Sequence, residues 1–285
     1  MVINFITNTF TKSHAQNIAV DSWKYIQDIF QNSELLTINW HNLQFKSQTG
    51  DTRYIYENLV TDYCLSDSIS LVPDATKNLP FMNELFEYGL GLDGDYFVIH
   101  NSDIIIMPHL LGFIDIHKPD AWSVSRMEIE NISSFDDCKD QKIKGIEYAI
   151  GHDLFVFKRE WAERNKSLFT TPFLLGSPIY DLVWAGYIKC FGDNTPMGNS
   201  FPPFLFHIKH PETWLEKSTP ERLWNEFHTK ATPLNMFMLN IMNYHITFTL
   251  SKRQPIKKSM AVPKEEKTTE QEFFKYMSYS RKIFG

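Results

Sequence analysis

The run Asp95-Tyr-Phe-Val-Ile-His-Asn-Ser-Asp103-Ile-Ile-Ile106 constrains this chain more than any other segment. It reads as a buried strand that ends on a carboxylate and then resumes as apolar sequence. An acid placed where such a strand leaves its sheet is where α/β proteins hold a metal ion or a nucleotide phosphate. The competing reading of Asp103 is a plain turn acid.

The flanking pattern supports a sheet with covering helices. Val2 to Thr7 predicts a short strand, and Ser13-His-Ala-Gln16 supplies a capping box, after which Ala19, Trp23, Ile26 and Phe30 recur at helical spacing. Leu35 to Trp40 predicts a second strand. The stretch from His41 to Tyr56 reads as loop and peripheral structure, and Tyr63 to Val72 shows no clear period. Asn78 is placed to cap a helix with Pro80 in its first turn and an apolar stripe of Phe81, Leu85 and Phe86. Asp93-Gly94 turns the chain into the Tyr96 strand. Ala121 to Met127 and Leu154 to Lys158 predict later strands, and Phe201 to His210 an extended segment. This order predicts an α/β fold with a single Rossmann-like, mostly parallel sheet flanked by helices and a ligand crevice at the carboxyl ends of the strands. Thr7, Asn8, Thr9 and Asp103 would share that edge.

A chain of 285 residues accommodates a large α/β domain plus an appendage. The expected division is an α/β domain over 1–215, a helical extension packed on it over 216–250, and a basic tail over 251–285, partly flexible or an amphipathic helix. A hydrophobic content of 43% excludes a disordered chain, and the net charge of −6 points away from nucleic acid. That charge is uneven: from Ser251 onward there are nine Lys/Arg and four Asp/Glu, a net of +5, which leaves −11 for the rest. Lys252, Arg253, Lys257 and Lys258, with the bulky Phe273, Phe274 and Phe284 further on, suit peripheral contact with an anionic membrane surface, a solvated tail, or a partner-docking helix. Cys64, Cys138 and Cys190 are widely spaced and odd in number, which suits a reducing cytoplasm rather than a disulfide framework or zinc cluster. The start of the chain lacks a basic signal-peptide region, and no apolar run reaches the roughly 18 residues of a spanning helix. The expected location is cytoplasmic, at the inner face of a membrane if the tail binds one.

Several segments, in order, resemble the nucleotide-diphospho-sugar transferase superfamily, the glycosyltransferases of the A-type fold. They are Asn4-Phe-Ile-Thr7, Gln16-Asn-Ile-Ala-Val-Asp-Ser-Trp23, Leu79-Pro-Phe-Met-Asn-Glu-Leu-Phe86 and Ile99-His-Asn-Ser-Asp-Ile-Ile-Ile106. Val124-Ser-Arg126, Gly151-His-Asp-Leu-Phe-Val-Phe157, Pro172-Phe-Leu-Leu-Gly176 with Tyr180-Asp181, and Phe206-His-Ile-Lys-His210 continue the series. The resemblance spans roughly residues 2 to 215. It implies that the first strand and its loop, with Thr7, Asn8 and Thr9, contact the nucleotide, and that a short acidic motif holds the diphosphate through a divalent cation.

In that superfamily the metal motif is commonly Asp-x-Asp, whereas this chain has Asn101-Ser102-Asp103. Asp103 is then the candidate ligand, and Asn101 a hydrogen-bonding partner for ribose or phosphate. His207 and His210 are further candidate ligands; in an extended chain their rings point to opposite faces, so one reaches the site while the other packs. An oxygen-rich set suits Mg²⁺ or Mn²⁺, and a histidine tilts the choice toward Mn²⁺. Arg126 is set to pair with a diphosphate or with its neighbour Glu128. Asp153 is a candidate for a sugar hydroxyl or for turn formation. Asp181 lies at a predicted helix N-terminus, as an N-cap or as the base that takes the proton of an incoming hydroxyl, and the helix dipole there is expected to lower its pKa.

The resemblance implies a glycosyltransferase that moves a sugar from a nucleotide-diphosphate donor to a glycan or other hydroxyl acceptor, as in surface polysaccharide synthesis. The alternative is a non-catalytic nucleotide- or glycan-binding protein of the same fold, which the amide at position 101 keeps open.

Overall fold

A computed structural model of the chain describes residues 1–8, 13–46, 63–130, 132–139, 143, 147–194, 203–209 and 219–253. Thr9, His210 and the tail beyond Arg253 lie outside the described residues. The first elements are β1 (Val2–Thr7), α1 (His14–Phe30), β2 (Thr37–Asn42), β3 (Gln44–Phe45), β4 (Cys64–Leu65), α2 (Ser68–Leu71) and α3 (Met82–Gly91). The central ones are β5 (Tyr96–His100), β6 (Ile104–Ile106), α4 (His109–His117), β7 (Ala121–Ile129), α5 (Asp136–Lys139) and β8 (Glu147–Lys158). The chain continues through α6 (Arg159–Asn165), α7 (Tyr180–Phe191), β9 (Leu205–Ile208), α8 (Pro220–Ala231) and α9 (Pro233–Arg253).

Seven strands form one sheet in the order β2-β1-β5-β8-β7-β9-β6. β1 pairs in parallel with β2 and β5, and β7 with β9. β8 runs antiparallel to both β5 and β7, and β6 antiparallel to β9. The parallel end is the strand-helix-strand opening read from the sequence, with Ser13 capping α1 through the Gln16 N–H. β7 and β8 are neighbours in the sheet and run antiparallel, with α5 described among residues 130–146 between them.

The Tyr96 to Ile106 run is two strands rather than one. β5 sits inside the sheet and β6 at its far edge. In a flat sheet four inter-strand spacings would separate them by about 19 Å, whereas the four residue steps from His100 to Ile104 reach at most about 14 Å. The sheet therefore curls, and residues 101–103 cross the mouth of that curl. The far edge is held against α1, where Trp23 Nε1 donates to the Ile104 carbonyl at 3.0 Å and Ser22 Oγ accepts from Ile106 N at 3.1 Å.

Both faces of the sheet are covered. On one, Phe5, Val98, Trp122 and Val124 pack with Trp23 of α1 and with Leu110 and Leu111 of α4. On the other, Phe97, Ile99, Phe155 and Phe157 pack with α3, α6, α7 and α9. Every residue of β5 is consequently buried, which is why its sequence reads as continuous rather than alternating. α7 and α9 approach closely at Gly186, where an added Cβ would lie 2.8 Å from Met238 Cβ and 2.9 Å from its carbonyl oxygen. No helix among the described residues is long and apolar enough to cross a membrane.

One local expectation is corrected. Asn78 does not cap α3, whose N-cap is Phe81. Its Oδ1 instead accepts from Ser68 Oγ and Ile69 N, and its Nδ2 donates to Asp67, so it braces the start of α2. The aperiodic stretch 63–72 contains β4 and α2, both too short to show a period.

Candidate functional site

The carboxyl end of β5 meets an irregularity in the next two strands. Val124 stands opposite Leu154 and Ser125 opposite His152, so Asp153 has no partner on β7 and is the extra residue of a bulge. Bulges re-aim side chains and concentrate beside functional sites. Here the bulge is fixed from the other side by Asn101 N, which donates to the Asp153 carbonyl at 3.0 Å.

The Asp153 carboxylate is buried and fully engaged. Arg126 Nη1 lies 2.6 Å from its Oδ2, and Asn101 Nδ2 donates to its Oδ1. Arg126 also reaches Glu128 Oε1 through Nη2 at 3.1 Å and Nε at 3.3 Å. Burial opposes the guanidinium charge, but the two carboxylates outweigh it and hold the Arg126 pKa above its ordinary value. Gly151 makes room for this cluster, since a Cβ there would lie 3.2 Å from Arg126 Nη1 and 3.5 Å from Asp181 Oδ2.

Asp181 stands in the first turn of α7, where its Oδ2 accepts from His152 N at 3.1 Å. The expected dipole effect on this carboxyl is reversed. Removal from water dominates, Asp153 adds like charge, and together they outweigh the His152 and Leu182 N–H groups and Arg126, so the pKa rises to about 6. Beside it, the Tyr180 hydroxyl is 3.4 Å from Asn101 Oδ1, and its pKa is pushed well up by burial and by the two aspartates. α7 is entered through Ile179, a β-branched residue at φ 90°, a backbone region such side chains rarely adopt.

On the far side of the curl, Ile104 of β6 pairs with His207 of β9, which brings Asp103 Oδ2 to 3.4 Å from His207 Nε2. His207 Nδ1 lies 3.9 Å from Glu128 Oε1. Asp103, His207, Glu128, Arg126, Asp153 and Asn101 thus form one chain of side chains across the edge of the sheet, drawn from three strands and the crossing loop. Among the described residues no group of three or more His, Cys, Asp and Glu side chains is arranged to hold a metal ion. The Asp103 and His207 pair fits only the partial shell through which Mg²⁺-like ions are held by one or two side chains plus substrate phosphates.

Thr7 and Asn8 are buried at the same edge. Thr7 Oγ1 donates to the His100 carbonyl at 3.0 Å, and His100 Nδ1 donates to the Asn101 carbonyl at 2.8 Å. The His100 ring packs edge-on against Trp23 and Trp40, and its burial lowers its pKa to about 4, so the neutral ring that fixes Asn101 persists through the physiological range. Asn8 Nδ2 donates to the Leu43 carbonyl, while its buried Oδ1 has no hydrogen-bond partner among the described residues.

The structure adds groups that sequence reasoning passed over. Glu128 entered the reading only as a rival partner for Arg126, although two residues apart on a strand is the spacing of side chains on one face. Tyr180 and Gly151 carried no such signal, because their proximity to the cluster depends on the bulge and on the turn into α7.

No family model and no curated protein matches the chain. Solved structures similar to it include S. aureus TarS and two glycosyltransferases. S. aureus TarS 1-349 in complex with UDP-GlcNAc is 10% identical at a TM-score of 0.43, covering 90% of this chain and 77% of that one. The likeness is one of chain path. This chain spans 46% of the longer S. aureus TarS chain. Galactosyltransferase LgtC in complex with donor and acceptor sugar analogs is 14% identical at a TM-score of 0.37, covering 82% and 95%. A glycosyltransferase involved in the glycosylation of the major capsid of PBCV-1 is 11% identical at 0.35, covering 81% and 100%. At such identities the residues of the cleft have to speak for the chemistry.

Proposed function

We propose that the protein is a nucleotide-sugar-dependent glycosyltransferase. The observation that carries this reading is the pairing, at one sheet edge, of a carboxyl raised to about 6 with the Arg126 guanidinium and its carboxylate partners. Glycosyl transfer builds negative charge on the leaving diphosphate while an acceptor hydroxyl gives up a proton, so it needs a cationic group and a base.

In this reading Arg126 turns part of its guanidinium toward the diphosphate, and Glu128 and Asp153 hold its plane in place. Asp103 and His207 would hold a Mg²⁺ or Mn²⁺ ion, which when bound offsets the charge of the leaving group. Asn8, with its buried acceptor, and Asn101 hydrogen-bond the nucleotide. Asp153, through Asn101 and Arg126, keeps the donor side rigid. Asp181 takes the acceptor proton: a carboxyl near 6 is a stronger base than an ordinary aspartate yet stays ionised at neutral pH. The acceptor is a glycan or another hydroxyl compound.

The test is incubation with a panel of UDP-, GDP- and CMP-sugars, with and without Mn²⁺, measuring both binding and nucleotide release. Release that depends on one donor supports the reading, and no binding to any donor discards it. A second reading, a non-catalytic nucleotide- or glycan-binding protein, is favoured by the amide at Asn101 and by the prior engagement of Arg126 with two carboxylates. Binding without release, with candidate acceptors present, would establish that one instead.

A further inference from the structure

The turn into α7 is gripped by a single side chain from another part of the chain. Asn225, on α8, is fully buried. Its Oδ1 accepts from Leu174 N at 2.8 Å, and its Nδ2 donates to the carbonyls of Leu174 at 3.1 Å, Ser177 at 3.2 Å and Pro178 at 3.2 Å. Asparagine is a weak helix former, and a buried amide is costly unless its hydrogen bonds are made. The presence of Asn225 inside a helix is explained by the backbone it binds.

The grip draws its significance from the residues just beyond it. Pro178, the last residue held, precedes Ile179 at φ 90°, and Tyr180 and Asp181 come next. A β-branched residue stays in such a conformation only when its surroundings over-determine it. The same segment is anchored nearby, where Trp224 Nε1 donates to the Pro172 carbonyl at 2.7 Å and Leu175 N to the Pro80 carbonyl at 2.9 Å. Of these contacts, only those of Asn225 reach Ser177 and Pro178, the two residues leading into the strained one.

We propose that Asn225 is a positioning residue for Asp181: by holding residues 174–178 it imposes the conformation of Ile179 and so sets where the Asp181 carboxyl stands relative to Arg126 and Asp153. The kinetic consequence rests on the transferase function; the geometric one does not.

The experiment compares Asn225→Ala and Asn225→Asp in the full chain, each checked by thermal unfolding. UDP release from UDP-sugars is followed, and the Asp181 carboxyl is titrated by ¹³C NMR, assigned by difference from Asp181→Asn. N225A is expected to lower kcat about 100-fold with the donor KM within about twofold, the size of effect a small displacement of a reacting group produces, and to shift the Asp181 titration toward that of an ordinary aspartate. N225D keeps the volume but sets a carboxylate against three carbonyl oxygens, so it is expected to be worse than N225A; a packing role would rank them in the opposite order. Should the Asn225 variants not fold, Ile179→Pro keeps the Asn225 side chain but forbids positive φ, and it is expected to reproduce the same kinetic and titration changes. Retention of the parent kcat and Asp181 titration in N225A, or in I179P, would overturn the proposal. If the parent releases nucleotide from no donor, the transferase reading falls while the titration still judges Asn225.

Discussion

Arg126 Nη1 and Asp153 Oδ2 lie 2.6 Å apart, with the arginine side chain 14% and the aspartate side chain 5% exposed. An ion pair so little exposed to water contributes through its completeness: removing one member leaves the other charged and buried. Arg126→Ala or Asp153→Ala should therefore lower stability by about 3 kcal/mol, while the double variant should cost less than the sum of the two. Urea denaturation of the four chains measures this directly. Additive losses would show that the pair is not coupled.

Asp181→Asn separates chemistry from binding. The amide can still accept from His152 N but cannot take a proton, so nucleotide transfer is expected to fall about 100-fold or more with little change in donor affinity. In the parent chain kcat/KM should decline below about pH 6, the value to which burial raises this carboxyl. A normal turnover number in the variant would exclude Asp181 as the base.

Protonation of buried and half-buried histidines should govern acid stability. His41, His100, His152 and His245 are all lowered by burial from 6.5 to about 4, so each is neutral in the fold and takes up a proton on unfolding below 6.5. Their contribution is present above pH 6.5 and is lost as pH falls toward 4. Asp181 works in the opposite sense. Raised from 3.8 to about 6, it stabilises the fold below pH 4 and loses that contribution as pH rises through 6. Four imidazoles outweigh one carboxyl, so the urea midpoint should drop between pH 6.5 and 4; a midpoint constant over that range would contradict the burial of these rings.

Gly186 is expected to tolerate no side chain. A Cβ would lie 2.9 Å from the Met238 carbonyl oxygen, and backbone cannot swing aside as a flexible side chain can. Gly186→Ala should lose about 1–3 kcal/mol, despite the higher helix propensity of alanine. Unchanged thermal unfolding would mean that α9 can shift along α7 at no cost.

Asp103→Ala and His207→Ala test the far side of the cleft. If the pair completes its shell with donor phosphates, each variant should abolish the Mn²⁺ stimulation of nucleotide release and leave metal-free binding of UDP largely intact. Titration with Mn²⁺ in the presence of UDP reads this out. Stimulation equal to that of the parent would remove both residues from the proposed site.

Much of the architecture is legible in local pattern. Ser13 caps α1 as its spacing foretells, and β5, apolar up to His100, is buried along its whole length. The antiparallel half is not, because β8 has its bulge at the point where Gly151 and Asp153 interrupt the apolar run, so only Leu154 to Lys158 looks like strand. At the site, Asn101, Arg126, Asp153 and Asp181 stand out as polar residues at the ends of apolar segments. Their mutual arrangement does not, since it depends on long-range pairings such as Asn101 with Asp153, 52 positions apart. The pKa of Asp181 departs from expectation for a related reason: helix position is a local property, whereas exclusion of water is set by the whole fold. Asn225 gives no warning at all, as its partners lie 47 to 51 residues away.

The crossing at residues 101–103 ties together two parts of one sheet that are also joined strand by strand through β8, β7 and β9. Asp103 and His207 stand at the β6/β9 ladder, which β9 joins to β7, while Asn101 and Asp153 are tied to β5 and β8. Ser102 is the sole covalent spacer between them. Because β9 is also laddered to β7, the sheet itself fixes the span this link must cover, and a residue inserted beside Ser102 would bulge out of the crossing rather than move either side.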